Sequence, residues 1–176
     1  MKIFLNAGHG GTDPGAVSSS GTKEADITAK VVEILAARLK LNWYPVQTFQ
    51  QKQSVNEVPP VENNSNSTLF ISVHCNSFTK PTACGVETWC FAGSQKGKQI
   101  ADIVQKELVK GTGLYNRGVK ETDKFLVLKK TKAPAILVEL AFISNPEEEM
   151  LLKENPEMFA DSIWEAIKIL KQKGLI

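Results

Sequence analysis

Short apolar runs alternate along the chain with longer stretches whose apolar residues recur at helical spacing. Residues 2–8, Lys2-Ile3-Phe4-Leu5-Asn6-Ala7-Gly8, read as a buried strand, and a loop rich in glycine and serine follows to Gly21. From Thr22 the pattern changes period: Ile27, Val31, Ile34, Leu35 and Leu39 share one face of a helix. Thr22-Lys23-Glu24-Ala25-Asp26 supplies its N-cap candidate and early acids. Trp43 to Phe49 is a second strand, and Pro45 makes it an edge or irregular one. Residues 50–67 are polar, carry Pro59-Pro60 and Asn63-Asn64, and read as loop with one short helical turn. Thr68–His74 is β-rich, and Gly85–Phe91 alternates as a further strand. Ser94–Lys110 is amphipathic through Ile100, Ile103, Val104 and Leu108, and Gly111 and Gly113 end it. Phe125–Leu128 reads as a short strand and Ala135–Phe142 as a buried one. Asn145-Pro146 opens an acidic helix, with Glu147, Glu148 and Glu149 as a solvated start. Asn155-Pro156 opens the last helix, whose core stripe is Phe159, Ile163, Ile167 and Leu170. Strands interleaved with helices predict an α/β class with a largely parallel sheet.

Composition narrows this little. The 176 residues suit one domain, and no composition break, linker or repeat divides them, so residues 1–176 are expected to form a single domain. Hydrophobic residues make up 42% and charged residues 23%, an ordinary globular balance. A net charge of +2 argues against a nucleic-acid partner. No apolar run reaches the roughly 20 residues of a membrane span, so no membrane partner is expected. Lys2 is followed by three apolar residues before Asn6, too few for a signal peptide. Cys75, Cys84 and Cys90 form no CxxC pair and read as reduced thiols. Cys75 directly follows His74 on an extended segment, so the two side chains should point to opposite faces.

The candidate chemistry lies at strand ends. The chain has 2 histidines, and each closes an apolar run: His9 after Ile3–Gly8, His74 after Leu69–Val73. A third run, Ala135–Val138, ends in Glu139. An open α/β sheet builds its sites where strands end, and two imidazoles with a carboxylate make the ligand set of a catalytic zinc. Either histidine alone is more often a structural residue than a ligand; it is the pair at two strand mouths that points to a metal. Glu24 is well placed as a third ligand, directly after the loop that carries His9. Local sequence favours a plainer role for it, an acid facing a helix N-terminus for about 0.3–1 kcal/mol. Glu139 interrupts an apolar strand, where an unpaired acid is expensive to bury. It must face a metal, a cation or a solvent cleft. No Gly-x-Ser-x-Gly elbow and no phosphate-loop ending occurs.

Ordered along the chain stand Asn6-Ala7-Gly8-His9-Gly10-Gly11-Thr12-Asp13-Pro14-Gly15-Ala16, then Gly21 to Glu24, and Phe70-Ile71-Ser72-Val73-His74-Cys75-Asn76-Ser77. Further on come Gly85-Val86-Glu87-Thr88-Trp89, Asn116-Arg117-Gly118-Val119-Lys120, and Pro134-Ala135-Ile136-Leu137-Val138-Glu139 with Phe142-Ile143-Ser144-Asn145. With these motifs the chain resembles the zinc-dependent N-acetylmuramoyl-L-alanine amidases of the Amidase_3 group, found in bacterial autolysins, spore-cortex and mother-cell lysins and phage endolysins. The resemblance covers nearly the whole chain. It implies a mixed, mostly parallel sheet of about six strands flanked by helices on both faces. It implies one Zn2+ held by His9, Glu24 and His74, with Glu139 as the catalytic acid. The chain departs from the family in one stretch. Many members carry a Thr-Arg pair after the second strand and an Arg-x-x-x-Ala-Asn segment before the third, where this chain has Thr48-Phe49 and Val61–Asn66.

The implied reaction is hydrolysis of the amide joining N-acetylmuramic acid to L-alanine, with peptidoglycan as partner and a monomer as the expected state. Asn76, Asn116 and Arg117 are the expected groove residues; a turn with a surface ion pair is the plainer reading of Asn116-Arg117-Gly118. A cell-wall zinc carboxypeptidase or deacetylase, or a non-catalytic peptidoglycan-binding module, are the alternatives. The chain's start suits a phage endolysin, a mother-cell lysin, or an excised domain of a secreted autolysin acting on the wall.

Overall fold

The computed structural model describes residues 1–176. In chain order the elements are β1 (Ile3–Ala7), α1 (Glu24–Leu41), β2 (Val46–Gln50), α2 (Val58–Asn63), β3 (Leu69–Asn76), β4 (Val86–Phe91), α3 (Gln95–Thr112), β5 (Asn116–Thr122), α4 (Leu126–Lys130), β6 (Ala135–Phe142), α5 (Pro146–Glu154) and α6 (Pro156–Gln172). They make a single-domain α/β fold around one 6-stranded sheet in the order β2-β1-β3-β6-β4-β5. β2, β1, β3 and β6 run parallel, β4 lies antiparallel to β6, and β5 follows β4 in parallel. No helix is long and apolar enough to cross a membrane.

The sheet has a thick side and a thin side, and strand alternation assigns residues to each. Ile3, Leu5 and Ala7 of β1, Leu69, Ile71, Val73 and Cys75 of β3, and Ile136, Val138 and Leu140 of β6 join the 31-residue core packed against α1, α3 and α6. Burying each such aliphatic side chain contributes roughly 1.5–3 kcal/mol. Phe4, Phe70, Ala135 and Leu137 point the other way, into a smaller cluster of 8 residues shared with Val58 of α2 and Val127 and Leu128 of α4. On this thin side the residues that continue the same alternation are Asn6, Ser72, His74 and Glu139. The short helices α2 and α4 cover the N-terminal half of β3 and β6 and leave the strand ends open.

Three expectations are corrected. Phe125–Leu128, expected as a strand, leads into the α4 helix, because a short apolar run carries no period long enough to separate the two. The strand that takes its place is β5, read beforehand as a turn; as a mostly polar edge strand with Val119 its only aliphatic residue, it shows no apolar alternation. Thr22 is not the cap of α1. Lys23 occupies that position without a side-chain hydrogen bond, and the Thr22 hydroxyl donates instead to Glu149 Oε1. The edge position of β2, the cap of Asn145 on α5, and the stripe of α6 agree with the sequence reading; the cap of Ser94 on α3 was not foreseen.

Candidate metal centre

β1 and β3 are neighbours in parallel register, Ala7 beside Val73, so the residues just past these positions emerge at the same mouth. His9 leaves β1 in a left-handed conformation, φ 62°, which a non-glycine residue adopts at a cost. Glu24 starts α1, which the glycine-rich loop swings back over the sheet. The imidazoles of His9 and His74 and the carboxylate of Glu24 offer donor atoms that all lie within 4.8 Å of one another. His9 Nε2 is 3.3 Å from Glu24 Oε2, and His74 Nδ1 is 3.0 Å from Glu24 Oε1. The two rings meet edge to face at 5.1 Å.

The backbone shapes this cradle. A Cβ on Gly8 would stand 2.3–2.6 Å from three atoms of the His74 ring, and one on Gly15 would stand 2.7 Å from Glu24 Oε2 and the His9 ring. Both Glu24 oxygens are pinned by backbone amides: Ala16 N donates to Oε2 at 3.0 Å and Cys75 N to Oε1 at 3.0 Å. Burial opposes ionisation of Glu24, but the hydrogen bonds from His74 and His9 prevail and hold its carboxyl far below the usual range. The hydrogen bond to Glu24, working against burial, pushes His9 up to about 9. A carboxylate facing two imidazoles in a tight pocket is a donor set that fits a divalent cation, with the solvent side free for a further ligand.

Each histidine also has a partner on its other ring nitrogen, which fixes the tautomer and the ring's direction. His9 Nδ1 meets Asp13 Oδ2 at 2.9 Å, and Asp13 is itself held by Gly15 N and Gln51 Nε2. His74 Nε2 meets Ser72 Oγ at 3.1 Å. Ser72 and Asn6 are fully buried, Asn6 Nδ2 donates to Ser72 Oγ at 2.9 Å, and Asn6 Oδ1 has no partner.

Beside the triad lies a row of acids. His74, Glu139 and Glu87 are register partners across the adjacent strands β3, β6 and β4. Glu139 Oε2 is enclosed without a hydrogen-bond partner. Burial, then the charges of Glu24 and Glu87, push the Glu139 carboxyl up to about 8. Glu87 differs. Burial opposes its ionisation, but hydrogen bonds from Lys120 and Arg117 outweigh that and hold its carboxyl below the ordinary range. Lys120 Nζ lies at 2.6 Å, Arg117 Nε at 2.7 Å, and Asn76 Nδ2 and Trp89 Nε1 each at 3.0 Å. Two carboxylates on facing strands are thus driven apart, one fixed as an anion and one kept ready for a proton.

All four residues singled out at strand and helix ends, His9, Glu24, His74 and Glu139, sit at this mouth. Asn76 and Arg117 adjoin it through Glu87. Asn116 starts β5, and its Oδ1 accepts from Gln105 Nε2 at 2.7 Å and Gly118 N at 2.9 Å. Cys75 points into the core, away from His74, as alternation requires. Glu148 and Glu149, read as solvated, are buried. Glu148 accepts from the backbone of Gly85 and Phe142, both at 2.6 Å; Glu149 accepts from the hydroxyls of Ser18, Ser20 and Thr22 and so ties the loop before Glu24 to α5. Sequence reasoning gave no role to Asp13, Ser72, Asn6, Glu87 or Lys120. Glu87 shares its side of β4 with Trp89 and Phe91, and a lone acid at the head of such a run gives no sign of its partners.

Residues 3–169 match the family described as N-acetylmuramoyl-L-alanine amidase, Amidase_3. The chain is 33% identical over 98% of its length to the endolysin of Bacillus phage SPP1, of which it spans 68%. It is 33% identical over 86% of its length to a probable cell wall amidase, LytH, of Staphylococcus saprophyticus, of which it spans 51%. Among solved structures, an N-acetylmuramoyl-L-alanine amidase from Clostridium difficile 630 superposes with a TM-score of 0.90 at 27% identity, covering 97% of this chain and 96% of that one. With the family matched over almost all of its length and the same fold carrying it, this chain belongs to the N-acetylmuramoyl-L-alanine amidases of the Amidase_3 family.

Proposed function

We propose that this chain is a zinc-dependent peptidoglycan amidase that hydrolyses the bond between N-acetylmuramic acid and the L-alanine of the stem peptide. The observation that carries this reading is the convergence of His9, Glu24 and His74 within 4.8 Å, with Glu139 in register beside His74. Two imidazoles and a carboxylate suit Zn2+. When bound, the ion supplies Lewis acidity, which polarises a carbonyl and acidifies water. Glu139 takes the proton of the attacking water and passes it to the leaving alanine amine. Its raised pKa suits both halves of that transfer, since a carboxyl near the working pH can accept and return a proton. Glu87, fixed as an anion by Arg117 and Lys120, keeps Glu139 basic. Asn76 and Arg117 border the groove in which the glycan and peptide would lie, whereas Asn116, expected there, turns its side chain to Gln105 of α3. The proposal takes residues 1–176 as one catalytic domain, a monomer that acts on the cell wall.

The test is a digest of purified peptidoglycan with identification of the new ends by mass spectrometry. New L-alanine amino termini support the amidase. A released terminal amino acid points to a carboxypeptidase and acetate to a deacetylase, and either result overturns the reading. Glu139→Ala should keep the metal and lose activity by roughly 10²–10⁴-fold; near-full turnover would remove Glu139 from the chemistry.

A further inference from the structure

The mouth is electrostatically lopsided. On the β1 side, a cavity of about 370 Å³ runs from Gly10 to Gln50 and carries Asp13 and Asp26 against the single cation Lys23. On the β4–β5 side, a cavity of about 450 Å³ is lined by Asn76, Phe78, Lys80, Ala83, Glu87, Arg117 and others, including Phe142. The second cavity begins two residues past His74 and contains Glu87, the register partner of Glu139, so it opens directly off the reacting centre. Its only acid is already engaged by two cations, Arg117 and Lys120. Lys80 is exposed and its ammonium takes part in no hydrogen bond or ion pair. The Arg117 guanidinium donates through Nε to Glu87 and through Nη1 to Cys84 O, at 2.7 and 3.2 Å, which leaves Nη2 free. The same guanidinium lies 4.8 Å above the Phe142 ring.

The loop that carries Lys80 is held in place. Phe78 N donates to Ser144 Oγ at 3.0 Å, and Asn145 Nδ2 donates to Ala83 O at 3.2 Å. Both anchors lie on the connection after β6, the strand of Glu139. Phe78 itself is 55% exposed at the cavity edge, an apolar surface with no packing role. A preorganised pocket with one free ammonium, one free guanidinium nitrogen and an aromatic wall suits an anionic peptide. The opposite side offers one cation, Lys23, against Asp13 and Asp26, and so gives an anion no comparable hold.

We propose that the Phe78–Lys80–Arg117 pocket is the peptide-side subsite, binding a stem-peptide carboxylate, and that the neutral glycan runs past Asp13 on the other side. This charge difference would set the direction in which the substrate lies across the centre. It rests on the amidase reading above. A charge-assisted contact at one end of the substrate raises kcat/KM where it helps align the scissile bond.

The experiment uses one purified peptidoglycan before and after its peptide carboxylates are converted to carboxamides with carbodiimide and ammonia. The readout is the rate at which new L-alanine amino termini appear. The wild-type chain should slow by about two- to fivefold on the amidated polymer, what one exposed charged contact supplies. Lys80→Ala, a substitution on an exposed loop, should fall toward that lower rate on the native polymer and keep only the smaller preference that the Arg117 guanidinium supplies. Lys80→Glu should prefer the amidated polymer. Equal wild-type rates on both polymers, or a Lys80→Ala variant that keeps the full preference, would overturn the subsite. Absence of new L-alanine termini from either polymer would overturn the amidase reading itself, a different outcome.

Discussion

Ser72 and Glu139 show how much single atoms decide at this mouth. Ser72 Oγ is the sole partner of His74 on the side away from Glu24. Removing it leaves His74 Nε2 and Asn6 Nδ2 unsatisfied in a buried place, so the ring loses its fixed direction. Ser72→Ala should lower zinc affinity by about 10–100-fold, the usual cost of losing such a support, measured by competition with a chromophoric chelator. Unchanged affinity with only a lower melting temperature would make Ser72 a packing residue. Glu139 bears on stability as well as chemistry. Folding raises its carboxyl from an ordinary value to about 8, so the folded protein keeps a proton that the unfolded chain releases. That stability is whole below the unfolded value and drains away as the pH climbs to the folded one. In metal-free protein, Glu139→Gln should melt with the wild type at about pH 4 and higher at about pH 8. Each kcal/mol shifts the midpoint by roughly 2–4 °C in a chain of this size. Equal melting curves at both pH values would mean that the carboxyl is not held neutral.

At the scale of elements, the site depends on where β1 hands over to the loop and the loop to α1. Gly8 closes the strand with no room above it. Gly8→Ala would drive a methyl into the His74 ring, and the ring must turn out of the triad. The expected result is zinc binding weakened by tenfold or more, a rough figure, with helical circular dichroism unchanged; tight binding in a folded variant would show that the ring has other room. The same elements show what patterning can reveal. The strands that build the mouth, β1, β3 and β6, are strongly apolar up to the point where His9, His74 and Glu139 break the pattern, so those points were legible, although β6 continues past Glu139 to Phe142. β5 was not, because an edge strand carrying Arg117 and Lys120 keeps its charges for Glu87 and has no apolar face to display. The acids of α5 misled for a related reason: an Asn-Pro-Glu start looks solvated, yet Glu148 is buried by accepting from the amides of Gly85 and Phe142, and Glu149 by accepting from the hydroxyls of a distant loop.

For the whole molecule, the metal is expected to act as a structural tie as well as a reagent. Its three proposed ligands come from the ends of β1 and β3 and the start of α1, so binding should favour the folded state. At free zinc about 1,000-fold above the dissociation constant, linkage adds about 4 kcal/mol, or about 8–16 °C in the melting midpoint. Chelation should remove that increment and the lytic activity together, and added zinc should restore both; a melting curve indifferent to chelator would speak against a cation at this centre. The lopsided charge across the mouth belongs to this scale too, since it joins Asp13 and Asp26 with Lys80 and Arg117, residues that no single element holds.

The order of apolar runs was enough to determine an α/β sheet and to single out two histidines and Glu139 where apolar runs are broken, because a strand's period and its interruption are local properties; that β6 runs on past Glu139 to Phe142 came from the structure. The proposed metal role of Glu24 was legible only through the resemblance to a family, since its local setting is that of any acid at a helix start. What the tertiary structure alone decided is which acids face which partners. The antiparallel β4 sets Glu87 against Glu139, and the return of β5 delivers Arg117 and Lys120 to Glu87. Burial and charge, which separate the two carboxylates, are sums over neighbours distant along the chain, and sequence order does not contain those sums.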